Sequence, residues 1–193
     1  MDGSAHFTVV ETGRLILRRM TTGDAAFICG LLNEPSWLRF IGDKGVRTVD
    51  DARRYILNGP VAMYGRTGFG LYLTMLKDAG TPIGMCGLIR RDGLDDVDIG
   101  FAFLPAYWGA GYAFEAASAV MAYGRIELGL GRIVAITSAD NDSSIRLCGR
   151  LGMTFERMAR LPNGDVDMKL FVSERPAAVV QNDRAALAQY PLG

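Results

Sequence analysis

One stretch of the chain constrains the fold more than any other, because a strand pattern, a glycine-rich turn and a helix pattern follow one another directly. Large apolar side chains occupy every second position of 97–104, which is the period of a half-buried strand. From Ala113 to Leu128, apolar residues recur at the spacing of one helical face. The sequence therefore predicts a strand at 97–104 and a helix at about 110–128. The strand alternates Val97, Ile99, Phe101 and Phe103 with Asp98, Gly100, Ala102 and Leu104.

The turn between these elements, residues 108–113, reads Trp-Gly-Ala-Gly-Tyr-Ala. A glycine-rich turn at a helix start directs several backbone N–H groups at one point, and the helix dipole adds positive potential there, so the turn suits a phosphate. A dinucleotide fingerprint starting at Gly109 needs glycine or alanine at position 114, where this chain has Phe114. The G-K-[ST] triplet of a P-loop does not occur in the chain. An ordinary tight turn is the alternative interpretation.

The other segments predict a mixture of helices and strands within one domain. The fold class is α+β, a mixed α/β arrangement, over residues 1–172. Within that domain 1–10 is expected to be a loose arm, and 173–193 is expected to be a C-terminal tail. Helices are predicted at 25–33, 49–58, 110–128 and 143–151, a loop at 61–69, and strands at 15–17, 70–76, 83–90, 97–104, 133–136, 153–160 and 165–172.

Composition excludes several classes of chemistry. Lys and Arg number 21 and Asp and Glu number 21, so the chain lacks the basic excess of a general nucleic-acid binder. The single histidine, His6, leaves almost no basis for a Ser-His-Asp triad or a multi-histidine metal site. Three separated cysteines without a C-x-x-C pair predict reduced thiols in a cytoplasmic protein. No run of about 18 apolar residues predicts a membrane span.

Two segments in the right order resemble a known family. The stretch DVDIGFAFLPAYWGAGYAFEA (96–116), followed by NDSSIRLCGRLGM (141–153), is similar to the GNAT superfamily of acetyl-CoA-dependent N-acetyltransferases. The segments TGRLILRRMTTGDA (12–25) and RTVDDARRYI (47–56) resemble its RimJ/RimL-like branch, the ribosomal-protein N-acetyltransferases and their relatives. The resemblance covers about 12–172. It implies the GNAT fold, a twisted, mixed and mostly antiparallel sheet of about seven strands flanked by about four helices.

The resemblance also implies acetyl-CoA as co-substrate, no metal, and a set of residues that bind the CoA. The family's pyrophosphate pattern Q/R-x-x-G-x-G/A falls on 108–113, with Trp108 in place of Gln or Arg. Backbone N–H groups at the end of the preceding strand would polarise the thioester carbonyl. The Asn and Ser of the second motif would face the CoA arm. The implied cofactor-binding residues are Phe103, Leu104, Trp108, Gly109, Ala110, Gly111, Tyr112, Ala113, Asn141 and Ser144.

Proton transfer has three candidate side chains under this resemblance. Asp98 occupies the strand position where the superfamily often has Glu, so it is the first candidate for the general base, and a salt-bridged strand carboxylate is the alternative. Asn141, Ser144 and Cys148 lie three and four residues apart, so they share one helix face. Cys148 replaces the tyrosine that many members use to protonate the leaving thiolate. Ser144 is therefore the preferred donor and Cys148 a weaker one, with helix capping and core packing as their alternatives.

The expected reaction is direct transfer of the acetyl group from acetyl-CoA to a primary amine in a ternary complex. The acceptor is a protein N-terminal α-amine or a small-molecule amine. Neither nucleic acid nor a membrane is an expected partner, and a monomer and a homodimer are both compatible with the sequence. A non-catalytic acyl-CoA-binding or regulatory module is the alternative, because the usual tyrosine is missing. A dinucleotide oxidoreductase is disfavoured by Phe114.

Overall fold

The computed structural model describes residues 7–162, 164 and 166–174, which form one eight-stranded sheet with helices on both faces. In chain order the strands are β1 (Thr8–Glu11), β2 (Leu15–Arg18), β3 (Leu71–Leu76), β4 (Pro82–Arg90), β5 (Val97–Phe103), β6 (Arg132–Ser138), β7 (Thr154–Ala159) and β8 (Met168–Glu174). Their order across the sheet is β1-β2-β3-β4-β5-β6-β8-β7, and in this described part of the chain only β5 and β6 pair in parallel. The expected mixed, mostly antiparallel sheet is confirmed, with eight strands where about seven are predicted.

Strand β1 accounts for the difference, because it lies largely in the segment 1–10 for which the sequence predicts a loose arm. Val9 and Val10 are buried, and pairing with β2 supplies the backbone partners that the short segment lacks by itself. The prediction of a loose arm is therefore wrong from residue 8 onward, and residues 1–6 lie outside the described residues. At the other end, residues 173 and 174 belong to β8 and not to the predicted tail; the rest of that tail lies outside the described residues.

Within the described residues the α-helices form five continuous stretches, where about four helices are predicted. In chain order the α-helices are α1 (Ala25–Leu32), α2 (Pro35–Phe40), α3 (Val49–Ile56), α4 (Ala62–Thr67), α5 (Tyr112–Ile126) and α6 (Asp142–Arg150). A π-helical turn, Leu57–Val61, joins α3 to α4 into one stretch. Among the described residues, no helix is both long enough and apolar enough to cross a membrane.

The predicted loop 61–69 is instead helical as far as Thr67. Pro60 predicts a helix end, because proline lacks the N–H and its ring clashes with the preceding turn. The wider π turn accommodates this ring, and both Pro60 and Tyr64 are buried. The helix ends at Gly68, whose φ of 82° is the left-handed conformation common after a helix. Tertiary packing thus overrides the local stop signal.

The two faces of the sheet carry separate apolar cores. The larger core packs α5 against one face and includes Val97, Ile99 and Phe103 from β5. The second core packs α1 and α3 against the other face, where Ala102 contributes. The alternation predicted for 97–104 is confirmed, because β5 presents large apolar side chains to α5 and small ones to the layer of α1 and α3.

Candidate active site

Strands β5 and β6 lie side by side only near their beginnings. Val97 pairs with Ile133 and Asp98 pairs with Val134, although each strand has seven residues. Beyond these two pairs the strands diverge, and we call the opening between them the fork. A strand edge without a partner presents unpaired backbone N–H and C=O groups. The fork therefore offers a place where an extended ligand can bind along the edge of β5.

The backbone of β5 shows which N–H groups face the fork. The N–H of Leu104 donates to the carbonyl of Ile83 on β4 at 2.9 Å. Because backbone groups of successive strand residues point to opposite edges, the N–H groups of Phe101 and Phe103 point away from β4 and into the fork. Of the two amides expected to polarise a thioester carbonyl, that of Phe103 has the required direction and that of Leu104 is already paired.

Helix α5 begins directly behind the turn at 108–113. The turn depends on two glycines in the left-handed region, Gly109 with φ 75° and Gly111 with φ 85°. Gly111 is the N-cap and offers no side chain to the first helical turn. None of the N–H groups of residues 109–114 has an acceptor within the described part of the chain. These free donors at the positive end of a 15-residue helix suit a phosphate.

Trp108 connects this turn to the edge of β5. Its indole Nε1 donates to the carbonyl of Phe103 at 2.8 Å, and the residue as a whole is about half exposed. The bond keeps the start of the turn beside the last residue of the fork edge. The two groups of donors expected to act on CoA, those of the turn and that of Phe103, are therefore linked through one side chain.

Arg14 and Glu115 brace the same turn from behind. The Nε and Nη2 atoms of Arg14 both lie 2.6 Å from Oε2 of Glu115, and Nη1 donates to the carbonyl of Ala110 at 3.0 Å. Thr12 Oγ1 donates to Oε1 of Glu115 at 2.6 Å. Burial acts to raise the pKa of Glu115, but the bonds from Thr12 and Arg14 outweigh it and hold that pKa below its ordinary value. Arg14 and Glu115 are 101 positions apart, so no local pattern identifies the contact.

Asp98 lies at the base of the fork and is only 1% exposed. Its Oδ2 accepts from Nε and Nη2 of Arg91 at 3.0 and 2.7 Å, and its Oδ1 accepts from the N–H of Ile136 at 3.3 Å. In a continuing parallel ladder that N–H would donate to a carbonyl of β5, so the carboxylate takes the place of the missing strand partner. Burial raises the pKa of Asp98, although Arg91 and the Ile136 N–H oppose the shift.

The three predicted residues of α6 have different surroundings. Asn141 is the N-cap, and its Oδ1 accepts from the N–H of Ser144 at 3.1 Å. The Ser144 side chain is partly exposed. Cys148 is fully buried in the core shared with α5, where burial and the negative charge of Asp98 raise the pKa of its thiol to about 11. The geometry thus shows capping by Asn141 and core packing by Cys148, and it leaves the partly exposed Ser144 as the remaining candidate donor.

Known proteins share both the sequence pattern and the fold. Residues 14–154 match the family model described as an acetyltransferase (GNAT) domain. The Bacillus subtilis protein named uncharacterized N-acetyltransferase YoaA is 30% identical over 156 residues, which are 80% of this chain and 87% of that protein. The uncharacterized N-acetyltransferase p20 of Bacillus licheniformis is 28% identical over 151 residues, which are 77% of this chain and 84% of that protein.

Solved structures agree with this match at the level of the fold. A GNAT-family acetyltransferase from Bacillus anthracis has a TM-score of 0.72 at 24% identity, covering 86% of this chain and 98% of its own. The ribosomal L7/L12 alpha-N-protein acetyltransferase RimL, solved in complex with coenzyme A, has a TM-score of 0.75 at 17% identity, covering 88% and 99%. Since the family model spans most of the described residues, the chain belongs to the GNAT family of acetyltransferases.

Proposed function

We propose that the protein transfers the acetyl group of acetyl-CoA directly to a primary amine. The observation that carries the proposal is the row of unpaired N–H groups at 109–114, which lies at the end of the strand that borders the fork. The CoA pyrophosphate would bind this turn, and the pantetheine arm would run along the edge of β5. That path brings the thioester to the N–H of Phe103. The RimL neighbour, whose structure contains coenzyme A, supports the choice of ligand.

The chemistry requires few side chains, because the thioester is already activated. The amine attacks the carbonyl carbon, and negative charge develops on the carbonyl oxygen, where the Phe103 N–H would stabilise it. Proton removal from the amine is assigned to Asp98. Because this carboxylate is buried and paired, the proton would reach Oδ1 through a water molecule. Ser144, whose side chain is partly exposed, would pass a proton to the departing thiolate and regain one from water.

The acceptor would approach along the fork, because Gly100, Phe101 and Ala102 of β5 are only partly buried. An α-amine with a pKa of about 8 loses its proton far more readily than a lysine with a pKa of about 10.4, so it makes the smaller demand on a carboxylate base. Within the class of primary amines, a protein N-terminal α-amine or a small molecule with a comparable amine is the proposed acceptor. A cytoplasmic location is also proposed, since Cys29, Cys86 and Cys148 are all free thiols.

A thiol-release assay tests the proposal. Purified protein is incubated with acetyl-CoA and three classes of amine: peptides with free N-termini, polyamines and aminoglycosides. Catalysis is shown by release of free CoA that depends on one amine class, with the acetylated amine identified by mass spectrometry. If acetyl-CoA neither binds nor is consumed with any amine, the proposal is wrong.

The burial of both Asp98 and Cys148 is the observation that favours a second candidate, a non-catalytic acyl-CoA-binding or regulatory module. Such a module would keep the turn and the fork without an accessible acid or base. The same assay separates the two functions when it is combined with thermal unfolding. An increase in Tm with acetyl-CoA, without thiol release against any amine, would identify the binding module.

A further inference from the structure

The bond from Arg14 to the carbonyl of Ala110 has a consequence for the neighbouring N–H group. In a trans peptide the C=O and the following N–H point in opposite directions. When Nη1 of Arg14 holds the Ala110 carbonyl at 3.0 Å, the N–H of Gly111 is turned to the side away from the guanidinium. This N–H is one of the free donors of the turn. Arg14 therefore fixes the direction of a donor that it does not itself touch.

Arg14 also holds the start of α5 in place. Glu115 lies in the first turn of that helix and receives three hydrogen bonds from the N-terminal segment. They come from Thr12 Oγ1 at 2.6 Å, from the Arg14 N–H at 3.0 Å and from Arg14 Nε at 2.6 Å. The guanidinium carbon lies 4.5 Å from the ring centroid of Tyr112, the first residue of the helix. Contacts on both sides of Gly111 thus connect the turn to the segment that precedes β2.

The charge of Arg14 has a second effect at this site. Glu115 is ionised at neutral pH, because its pKa lies below the ordinary value. A carboxylate in the first turn of α5 would by itself repel a phosphate bound at the same helix end. Arg14 pairs with this carboxylate at 2.6 Å and offsets its charge. The helix end can therefore keep a structural carboxylate and still present positive potential to an anion.

We infer that Arg14 is a positioning residue for the pyrophosphate of the co-substrate: it orients the Gly111 N–H and neutralises Glu115, without contacting the reacting atoms. The inference rests on the proposed binding of acetyl-CoA. Arg14 is suited to the task because its planar guanidinium reaches the carbonyl of Ala110 and the carboxylate of Glu115 at once. A lysine has a single ammonium group and cannot span both partners in the same geometry.

The test measures the affinity of Arg14→Ala and Arg14→Lys for CoA and for its nucleotide half, 3′-phospho-ADP, by titration calorimetry. We expect Arg14→Ala to weaken both ligands by the same factor, about 10- to 100-fold, since a charge-assisted network is lost at the pyrophosphate. Arg14→Lys should fall between the wild type and Arg14→Ala. With an acceptor amine available, KM for acetyl-CoA should rise while kcat stays unchanged. Equal losses for the two ligands place the defect at the phosphates and not along the pantetheine arm.

Lys77→Ala is the matched control, because Lys77 forms an ion pair with Glu11 at the same corner of the sheet and does not contact the turn. It should bind CoA like the wild type. Unchanged affinity of Arg14→Ala for both ligands would overturn the inference, as would an equal loss in Lys77→Ala or a loss confined to whole CoA. Failure of the wild-type protein to bind CoA would instead refute the proposed function, so the two failures are distinguishable. Tm values without ligand confirm that each variant is folded.

Discussion

The two ends of the path proposed for CoA are built on opposite principles. At the base of the fork, Asp98 is buried and its carboxylate has three hydrogen-bond donors from Arg91 and Ile136. At the other end, the N–H groups of 109–114 have no acceptors within the described residues, and the turn is largely open to solvent. At the base of the fork the carboxylate is paired within the protein, whereas at the turn the backbone N–H groups are unpaired.

This difference separates groups that maintain the fold from groups that are available to a ligand. A group whose partners are all internal holds the shape of the protein, whereas unpaired donors in an exposed turn gain partners only when a ligand arrives. The sequence draws attention to Asp98 because it is a carboxylate on a strand of small residues. In the structure, however, the unpaired donors belong to the backbone of 109–113, a segment that carries no charged side chain.

We expect the largest change in rate from a substitution of Asp98 at the base of the fork. Asp98→Asn keeps the shape of the side chain and removes the base. If Asp98 accepts the proton through water, kcat should fall about 100-fold, within the usual range for general base catalysis. The activity of the wild type should be lost as pH falls through the pKa of Asp98, which burial raises above its ordinary value of 3.8. The pH dependence of kcat/KM in both proteins measures this.

The matched control is Arg91→Lys, which keeps a positive charge beside the carboxylate and leaves the base present. Its activity should keep the acidic limb, with the pKa displaced because bidentate pairing is lost. If Asp98→Asn retains both its kcat and the acidic limb while its free energy of unfolding falls, the carboxylate only holds the strands apart. The base of the fork would then have a structural role alone, and the turn at 109–114 would be the part of the site that binds ligand.

The next effect concerns the turn at 109–114. Gly111→Ala places a Cβ 3.4 Å from Nη2 of Arg14, at a φ of 85° that other residues rarely adopt. Relieving this strain turns the neighbouring N–H groups, so we expect about 10-fold weaker binding of CoA, which corresponds to roughly the cost of one left-handed residue. Titration calorimetry with CoA measures the loss.

Gly129→Ala is the control for this variant, since its φ of 67° is also left-handed and no atom lies within 4 Å of the added Cβ. It should lower the free energy of unfolding and leave the affinity for CoA unchanged. Equal affinity for CoA in Gly111→Ala and the wild type would show that the free donors of the turn are not the binding site.

A smaller effect is expected on α6, between the two ends. Ser144→Ala should lower kcat about fivefold, because a thiolate of ordinary pKa near 8.5 already leaves well and gains little from a proton donor. Cys148→Ala should leave kcat unchanged, since this thiol is buried in the core. Steady-state kinetics at saturating acetyl-CoA distinguishes them. A reversed order, with Cys148→Ala the slower enzyme, would assign the donor to the cysteine.

Local sequence patterns predicted the parts of the fold that depend on neighbouring residues. The strand at 97–104 and the following helix were accessible because alternation and helical spacing are local signals. Strand β1 has no such local signal, since Val9 and Val10 become part of a strand only by pairing with β2. The helix through Pro60 has no local signal for a related reason: proline usually ends a helix, and here a π turn stabilised by packing accommodates it.

The same division applies to the site. The position of the free donors followed from the glycines at 109 and 111, which the sequence displays directly. The sequence does not predict the direction of each amide, because the pairing of Leu104 with Ile83 is a property of the sheet register. The contact of Arg14 with Glu115 joins residues 101 positions apart and exists only after folding. A single sequence contains no signal for such a contact.

Glu115 and Asp98 should change the stability of the protein with pH in opposite directions, and these changes are the smallest that we predict. Hydrogen bonds hold the pKa of Glu115 below its ordinary value of 4.5, so the ionised form stabilises the native state above that value and the contribution is lost as pH falls through the folded pKa. Glu115→Gln should therefore cost about 1 kcal/mol of unfolding free energy at neutral pH and less in acid.

Burial raises the pKa of Asp98, so its ionised form carries a cost in folding free energy that disappears as pH falls. The stability of the wild type relative to Asp98→Asn should consequently increase in acid. Urea unfolding of the three proteins between about pH 7 and pH 3 measures both slopes, and slopes of the same sign would contradict the comparison.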